Sequence, residues 1–152
     1  MHLVIVSGLS GSGKTVALNT LEDEDYYCVD NLPLGLLPDF VNRIMERTIQ
    51  PYEHIGIGID ARSDSSDLRR FVDIIKPLRE QDIDIEIIYL QADLPTLIKR
   101  FSDTRRKHPL TKKGLPLTEA IEVERNLLSE IAEHADLYID TTYTNIYQLR
   151  DQ

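Results

Sequence analysis

The stretch Leu3-Val4-Ile5-Val6-Ser7-Gly8-Leu9-Ser10-Gly11-Ser12-Gly13-Lys14-Thr15 decides how the rest of the chain is read. Its apolar run Leu3–Val6 predicts a buried strand, and Val16, Ala17, Leu18 and Leu21 predict a helix just after the loop. Between them, residues 8–15 fit G-x-x-x-x-G-K-[ST], in the strand-to-helix setting that this pattern requires. Glycines at positions 8, 11 and 13 open backbone conformations closed to residues with a Cβ. Successive N–H groups can then face one anion beside the positive end of the helix. Gly8, Leu9, Ser10, Gly11, Ser12, Gly13, Lys14 and Thr15 are therefore expected to cradle the phosphates of a nucleoside triphosphate. Lys14 is expected to reach the β- and γ-phosphates, and the Thr15 hydroxyl to help hold Mg²⁺.

Working outward, 152 residues suit one domain, 1–152, with a sizeable core. Apolar content of 41% and charged content of 28% fit an ordinary soluble globular chain. The sequence has no apolar run of membrane-spanning length and no basic-flanked apolar leader, so neither a membrane span nor a secretory signal is expected. Cys28 is the lone cysteine, which excludes an internal disulfide and a cysteine-based zinc site and favours a cytoplasmic address. It lies in an apolar run and is expected to be packed. The four histidines show no metal-ligand spacing. A net charge of −9 argues against the whole surface being a nucleic-acid platform. Residues 99–113 run the other way, with Lys99, Arg100, Arg105, Arg106, Lys107, Lys112 and Lys113 against Asp103 alone. Such a segment is either a solvated face or one turned toward an anion.

Five strands are predicted: Leu3–Val6, Tyr26–Val29, Ile55–Ile59, Ile85–Leu90 and Leu137–Ile139. Helical stripes fall between them. The first is Leu37, Phe40, Val41, Ile44 and Met45; the second is Leu68, Phe71, Val72, Ile75 and Leu78, with Ser66 as N-cap. Leu94, Leu97, Ile98 and Phe101 make a third. The fourth is Leu117, Ala120, Ile121, Leu127, Leu128 and Ile131, with Thr118 as N-cap and Glu119 set against the helix dipole. Alternation of strands and helices predicts crossover connections, a parallel sheet and an α/β sandwich. Lys112–Pro116 reads as a mobile loop.

In open parallel sheets, ligands sit beyond the carboxyl ends of the strands. The residues there are Asp30-Asn31, then Asp60-Ala61-Arg62-Ser63, then Gln91-Ala92-Asp93, and finally Asp140-Thr141-Thr142. Asp60 follows an apolar strand, the setting of an acid that supports Mg²⁺ or its water shell, unless it only caps a turn. Arg62 is placed to meet a phosphate or a base, or is a surface charge. Asp30 could orient an acceptor hydroxyl or a water, or form an Asx-turn ahead of Pro33. Arg105 or Arg106 could close over the triphosphate as a lid and stabilise developing charge. Lys14, Asp60, Arg105 and Arg106 are thus the candidate catalytic residues, with Thr15 and Asp60 the candidate metal ligands.

Beyond the loop, Tyr27-Cys28-Val29-Asp30-Asn31-Leu32-Pro33, Asp60-Ala61-Arg62 and Phe101-Ser102-Asp103-Thr104-Arg105-Arg106-Lys107-His108-Pro109-Leu110 resemble the RapZ/YvcJ family of nucleotide-binding proteins. The likeness spans essentially the whole chain but only the family's N-terminal half. It implies a P-loop NTPase domain, a kinase-like three-layer α/β/α sandwich on a five-stranded parallel sheet, that binds and slowly hydrolyses ATP and GTP. It implies Gly8–Thr15 as the ATP site and Asp60, Ala61, Arg62 and Ser63 as the GTP-contacting segment, although many members carry Asn where this chain has Ser63. Family members carry a C-terminal domain implicated in small-RNA binding and amino-sugar-phosphate sensing. In enterobacteria the full protein delivers a regulatory RNA to an endoribonuclease. RNA and ribonuclease partners are thus expected of the full-length protein only, and a homo-oligomer is left open.

Three functions fit these residues. The favoured one is a regulatory nucleotide-binding domain with weak ATPase and GTPase activity. A small-molecule kinase would use Asp30 or Asp60 to handle an acceptor hydroxyl. A pure binding module would hold nucleotide without turning it over. Phosphate transfer to an acceptor separates the second from the first, and absence of turnover marks the third.

Overall fold

A computed structural model describes residues 1–46, 53–81, 83–104 and 116–142. The apolar runs form β1 (His2–Gly8), β2 (Tyr27–Val29), β3 (His54–Ile59), β4 (Asp84–Gln91) and β5 (Leu137–Asp140), each within two residues of its expected bounds. They make one sheet in the order β2-β3-β1-β4-β5, and every pairing is parallel. β1 is central, with Ile5 opposite Ile57 of β3 and Ile87 of β4. Helices α1 (Lys14–Asp23), α2 (Leu37–Met45), α3 (Ser65–Arg69), α4 (Phe71–Glu80), α5 (Leu94–Thr104), α6 (Leu117–Leu127) and α7 (Ser129–Glu133) supply the crossovers, with a 3₁₀ turn at Leu34–Leu36.

The period of two along each strand sorts side chains to the two faces. Leu3, Ile5, Ile55, Ile57 and Ile59 pack with Leu37 and Val41 of α2, Phe71, Ile75 and Leu78 of α4, and Ile131 of α7. Val4 and Val6 pack on the other face against Leu18 of α1. In β3 the residues facing α1 are glycines. A Cβ at Gly58 would stand 2.5 Å from Asp30 Oδ1 and 2.9 Å from Leu18 Cδ1, so glycine is what lets the Asp30 carboxylate lie against the sheet. Leu9, Ala92, Leu97 and Ile121 join the loop after β1 to α5 and α6.

Four expectations about the helices change. The Leu68–Leu78 pattern forms two helices, α3 and α4, broken at Arg70, whose backbone leaves the helical region at φ −103° and ψ 20°. Asp64, not Ser66, is the N-cap, because its carboxylate accepts from Ser66 N at 2.9 Å and places Ser66 inside the first turn. Pro116 holds the N-cap position of α6, with Thr118 inside the first turn beside Glu119. The pattern beyond it divides at Leu128 into α6 and α7. Met45, Val72 and Ile98 sit at the margins of their stripes and are exposed. Arg105, Arg106 and residues 111–115 lie outside the described residues. Among the described residues, no helix is long and apolar enough to cross a membrane.

Candidate phosphate-binding site

The loop between β1 and α1 takes the positive-φ path that its glycines permit, with φ of 155° at Gly8, 85° at Gly11 and 107° at Gly13. Gly13 is the N-cap of α1 in the left-handed region, and no side chain caps the helix. Three loop amides are used internally. Leu9 N donates to Leu90 O at 3.1 Å and Ser12 N to Leu9 O at 3.0 Å, while Ser10 N donates to Glu124 Oε1 at 2.7 Å. The N–H groups of Gly11, Gly13, Lys14 and Thr15 donate to no acceptor among the described residues. Four free donors at a helix N-terminus form a concavity of positive potential.

Two of the four aspartates at the carboxyl edge converge on Lys14. Its ammonium lies 2.9 Å from Asp30 Oδ1, 3.2 Å from Asp60 Oδ2 and 3.3 Å from Asn31 Oδ1. Arg62 holds the same Asp60 carboxylate from the other side, with one guanidinium nitrogen at 2.6 Å and Nε at 3.1 Å from Oδ2. Asp60 also accepts from Arg62 N at 2.8 Å, so it closes its turn as well as pairing with cations. Burial works to raise the Asp60 pKa, but hydrogen bonds from Arg62 and the charge of Lys14 outweigh it and hold the group below the ordinary carboxylate value. The remaining two aspartates are structural. Asp93 Oδ1 accepts from Thr96 N at 2.9 Å and caps α5, and Asp140 Oδ1 accepts from Thr142 N at 2.8 Å.

A depressed carboxylate is also a statement about stability. The Asp60 contribution is fully present above its unfolded value of about 3.9 and is lost as pH falls through the lower folded value. Asp60→Asn is therefore expected to lower the melting temperature at pH 7. That deficit should shrink at pH 3, which thermal melts of both proteins at the two pH values will read.

Other expected residues take less exposed parts. Ala61 is buried in the main core, and Ser63 Oγ accepts from Leu34 N at 3.2 Å, tying the turn after β3 to the 3₁₀ segment. Asn31 adopts a left-handed φ of 58° beside Asp30, which accepts its N–H at 2.8 Å. Cys28 is half-buried against Leu18 O, and burial pushes its thiol up to about 11, so it is no thiolate at neutral pH.

Three further side chains hold the loop from outside. Glu124 of α6, fully buried, accepts Ser10 Oγ at 2.5 Å as well as Ser10 N. Arg100 of α5 donates to Gly11 O at 2.9 Å and to Thr141 Oγ1 at 3.0 Å, and Thr141 Oγ1 donates to Ser12 O at 2.7 Å. Sequence reading marked the position of Thr141 and the charge of Arg100 without a role for either, and it passed over Glu124. A signal for Glu124 existed: it lies three or four residues from Ala120, Ile121 and Leu128, in the middle of the buried stripe, where an acid needs a reason.

A central parallel strand that runs through a glycine loop into α1, in a sheet of order β2-β3-β1-β4-β5, defines a P-loop fold of the kinase-like class. Solved structures share it. A sugar kinase from Janibacter sp. matches with a TM-score of 0.57 and 14% identity, over 99% of this chain and 91% of that one. A gluconokinase from Sinorhizobium meliloti matches with a TM-score of 0.56 and 12% identity, over 99% and 87%. At such identities the likeness is one of fold alone.

The chain belongs to the RapZ-like N-terminal domain family, whose model matches residues 1–152. A Thioalkalivibrio sulfidiphilus protein named as a nucleotide-binding protein is 55% identical over 149 residues, which is 98% of this chain and 52% of that protein. A protein of the same description from Methylococcus capsulatus is 54% identical over 151 residues, 99% of this chain and 51% of its own length. The chain thus spans about half the length of the curated relatives it matches.

Proposed function

We propose that this chain is a regulatory nucleotide-binding domain that holds the triphosphate of ATP or GTP in residues 8–15 and hydrolyses it slowly. The observation that carries the reading is the set of N–H groups on Gly11, Gly13, Lys14 and Thr15 that no described residue accepts, at the positive end of α1. A triphosphate supplies oxygens for all of them. Lys14, now held by two carboxylates, would turn to the β- and γ-phosphates. Relatives named as nucleotide-binding proteins at 55% and 54% identity support the same ligand class.

Mg²⁺ demands hard oxygen donors, and the Thr15 hydroxyl and the ionised Asp60 carboxylate have that chemistry. These two residues would hold the ion or its waters. Bound there, it would neutralise charge on the phosphoryl oxygens. In the GTP-contacting segment the Ala61 side chain is buried and the Ser63 hydroxyl is engaged, so contacts from it would come from Arg62 and the backbone. Arg105 and Arg106 complete the reading as a lid. Arg105→Ala and Arg106→Ala are expected to cut turnover by about tenfold or more with less effect on affinity, as steady-state kinetics beside direct binding will test. Equal losses in both quantities would make them ground-state contacts. A cytoplasmic address, and RNA and a ribonuclease as partners of the longer protein, belong to the same proposal.

A small-molecule kinase is the second reading, favoured by the half-exposed Asp30 carboxylate 2.9 Å from Lys14, where it could accept a hydroxyl proton. Mg²⁺-dependent phosphate release from ATP and GTP, with and without a panel of small hydroxyl metabolites, separates the two. Slow release indifferent to the panel supports the regulatory domain. Stimulation by one metabolite, with the phosphate found on it, overturns that in favour of the kinase.

A further inference from the structure

Glu124 sits 114 residues away from Ser10 in sequence, yet its carboxylate takes both donors of that residue, N–H at 2.7 Å and Oγ–H at 2.5 Å. Its exposure is 0%, in a stripe otherwise filled by Ala120, Ile121 and Leu128. A buried charge costs free energy unless hydrogen bonds replace its water, and an apolar residue would fill the space without that cost. What the carboxylate gives in return is a hold on the loop through both donors of Ser10. Ser10 is the third residue of the loop, and its amide, like those of Leu9 and Ser12, donates within the protein and stands outside the open set Gly11, Gly13, Lys14 and Thr15. With Leu9 N tied to Leu90 O and Ser12 N to Leu9 O, the carboxylate fixes the one remaining stretch of backbone ahead of the cradle. Two acceptor oxygens on one rigid group suit the two donors of a serine.

We propose that Glu124 is a positioning residue for the phosphate loop: through Ser10 it sets the direction of the loop backbone, so that the open amides converge on the triphosphate. This rests on the triphosphate reading above, and it adds α6 to the elements on which affinity depends. Glutamine keeps the shape and one acceptor, and the Ser10 hydroxyl can turn to accept from its amide nitrogen.

The test takes the chain as it stands with Ser10→Ala, Glu124→Ala, Glu124→Gln and the Ser10→Ala/Glu124→Ala pair. Two readouts are used: titration with a fluorescent ATP analogue in Mg²⁺, and amide exchange at residues 9–12 without nucleotide. Glu124→Ala is expected to weaken binding by about tenfold or more and to speed exchange at Ser10, whereas Glu124→Gln recovers most of both. Ser10→Ala should cost several-fold in the wild-type background and less in the Glu124→Ala background, where the interaction it shares with residue 124 is already gone. Should Glu124→Ala fail to fold, Ser10→Ala decides alone, by a loss of affinity together with faster exchange at residues 9–12. Wild-type affinity and unchanged exchange in Glu124→Ala and Ser10→Ala overturn the proposal, as do losses that simply multiply in the pair. If the wild type itself does not bind while exchange responds as expected, the triphosphate reading fails, and Glu124 is reduced to a loop brace.

Discussion

Replacing Lys14 with Ala is expected to remove measurable triphosphate binding and to leave the fold standing. The ammonium lies between Asp30 Oδ1 at 2.9 Å and Asp60 Oδ2 at 3.2 Å, beside the open amides of the loop. Its removal acts twice on an incoming anion. The contact to the β- and γ-phosphates is lost, and two carboxylates it had balanced now face the triphosphate with one cation fewer. Truncating one partner of a buried, hydrogen-bonded charge contact to a ligand costs about 2–5 kcal/mol of binding, which is roughly one and a half to three and a half orders of magnitude in Kd. Stability is spared because Asp60 keeps Arg62, at 2.6 Å from Oδ2, while Asp30 is partly exposed and can take water. Lys14→Arg is not expected to restore binding, since a planar, longer guanidinium cannot occupy the same point between two carboxylates. Calorimetric titration with ATP and GTP, paired with thermal melts, reads both halves. A variant that keeps wild-type affinity would move the site away from this loop.

How much of this was legible depends on the range of the interactions. The five strands follow from apolar runs bounded by turn residues, and their parallel order follows from the helices between them, so β1 and the glycine loop could be located without coordinates. The convergence of Asp30 and Asp60 on Lys14 was half legible. Strand ends in a parallel sheet share one edge, but nothing in the sequence tells these two acids from Asp93 and Asp140, which close local turns. That difference comes from strand order, because β2 and β3 lie on one side of β1 and β4 and β5 on the other. The helix ends were misjudged where two capping residues compete. Asp64 and Ser66 both cap helices well, and the carboxylate that reaches two residues onward takes the role. Glu124 and Arg100 bond to the loop across 114 and 89 residues, a separation at which helical periodicity gives burial but no partner.

Gly8→Ala is expected to be the most damaging single-methyl change in the loop, costing about 2–4 kcal/mol of stability. A Cβ there would overlap the Leu90 carbonyl oxygen and stand 2.9 Å from both Leu90 Cβ and Ser12 Oγ. The first of these is backbone of β4, which pairs with Gly8 in the centre of the sheet and cannot turn aside. The Leu90 carbonyl also accepts Leu9 N at 3.1 Å, so relieving the clash pulls apart the bond that anchors the start of the loop. A φ of 155° adds strain for any residue with a side chain. Gly11→Ala is the control. Its φ of 85° is strained, but its Cβ would meet only Phe101 and Leu97 side-chain atoms at 3.5 and 3.6 Å, ordinary contact distances. That variant should lose about 1–2 kcal/mol, the cost of a left-handed backbone alone. Urea denaturation of the two variants reads the difference directly. Triphosphate titration should follow it, because Gly8→Ala displaces the loop from its root whereas Gly11→Ala leaves the Ser10–Glu124 and Leu9–Leu90 bonds in place. Equal tolerance of the two changes would mean that the end of β1 can slide past β4, and the cradle would then owe its shape to the side chains of Glu124, Arg100 and Thr141 rather than to the sheet.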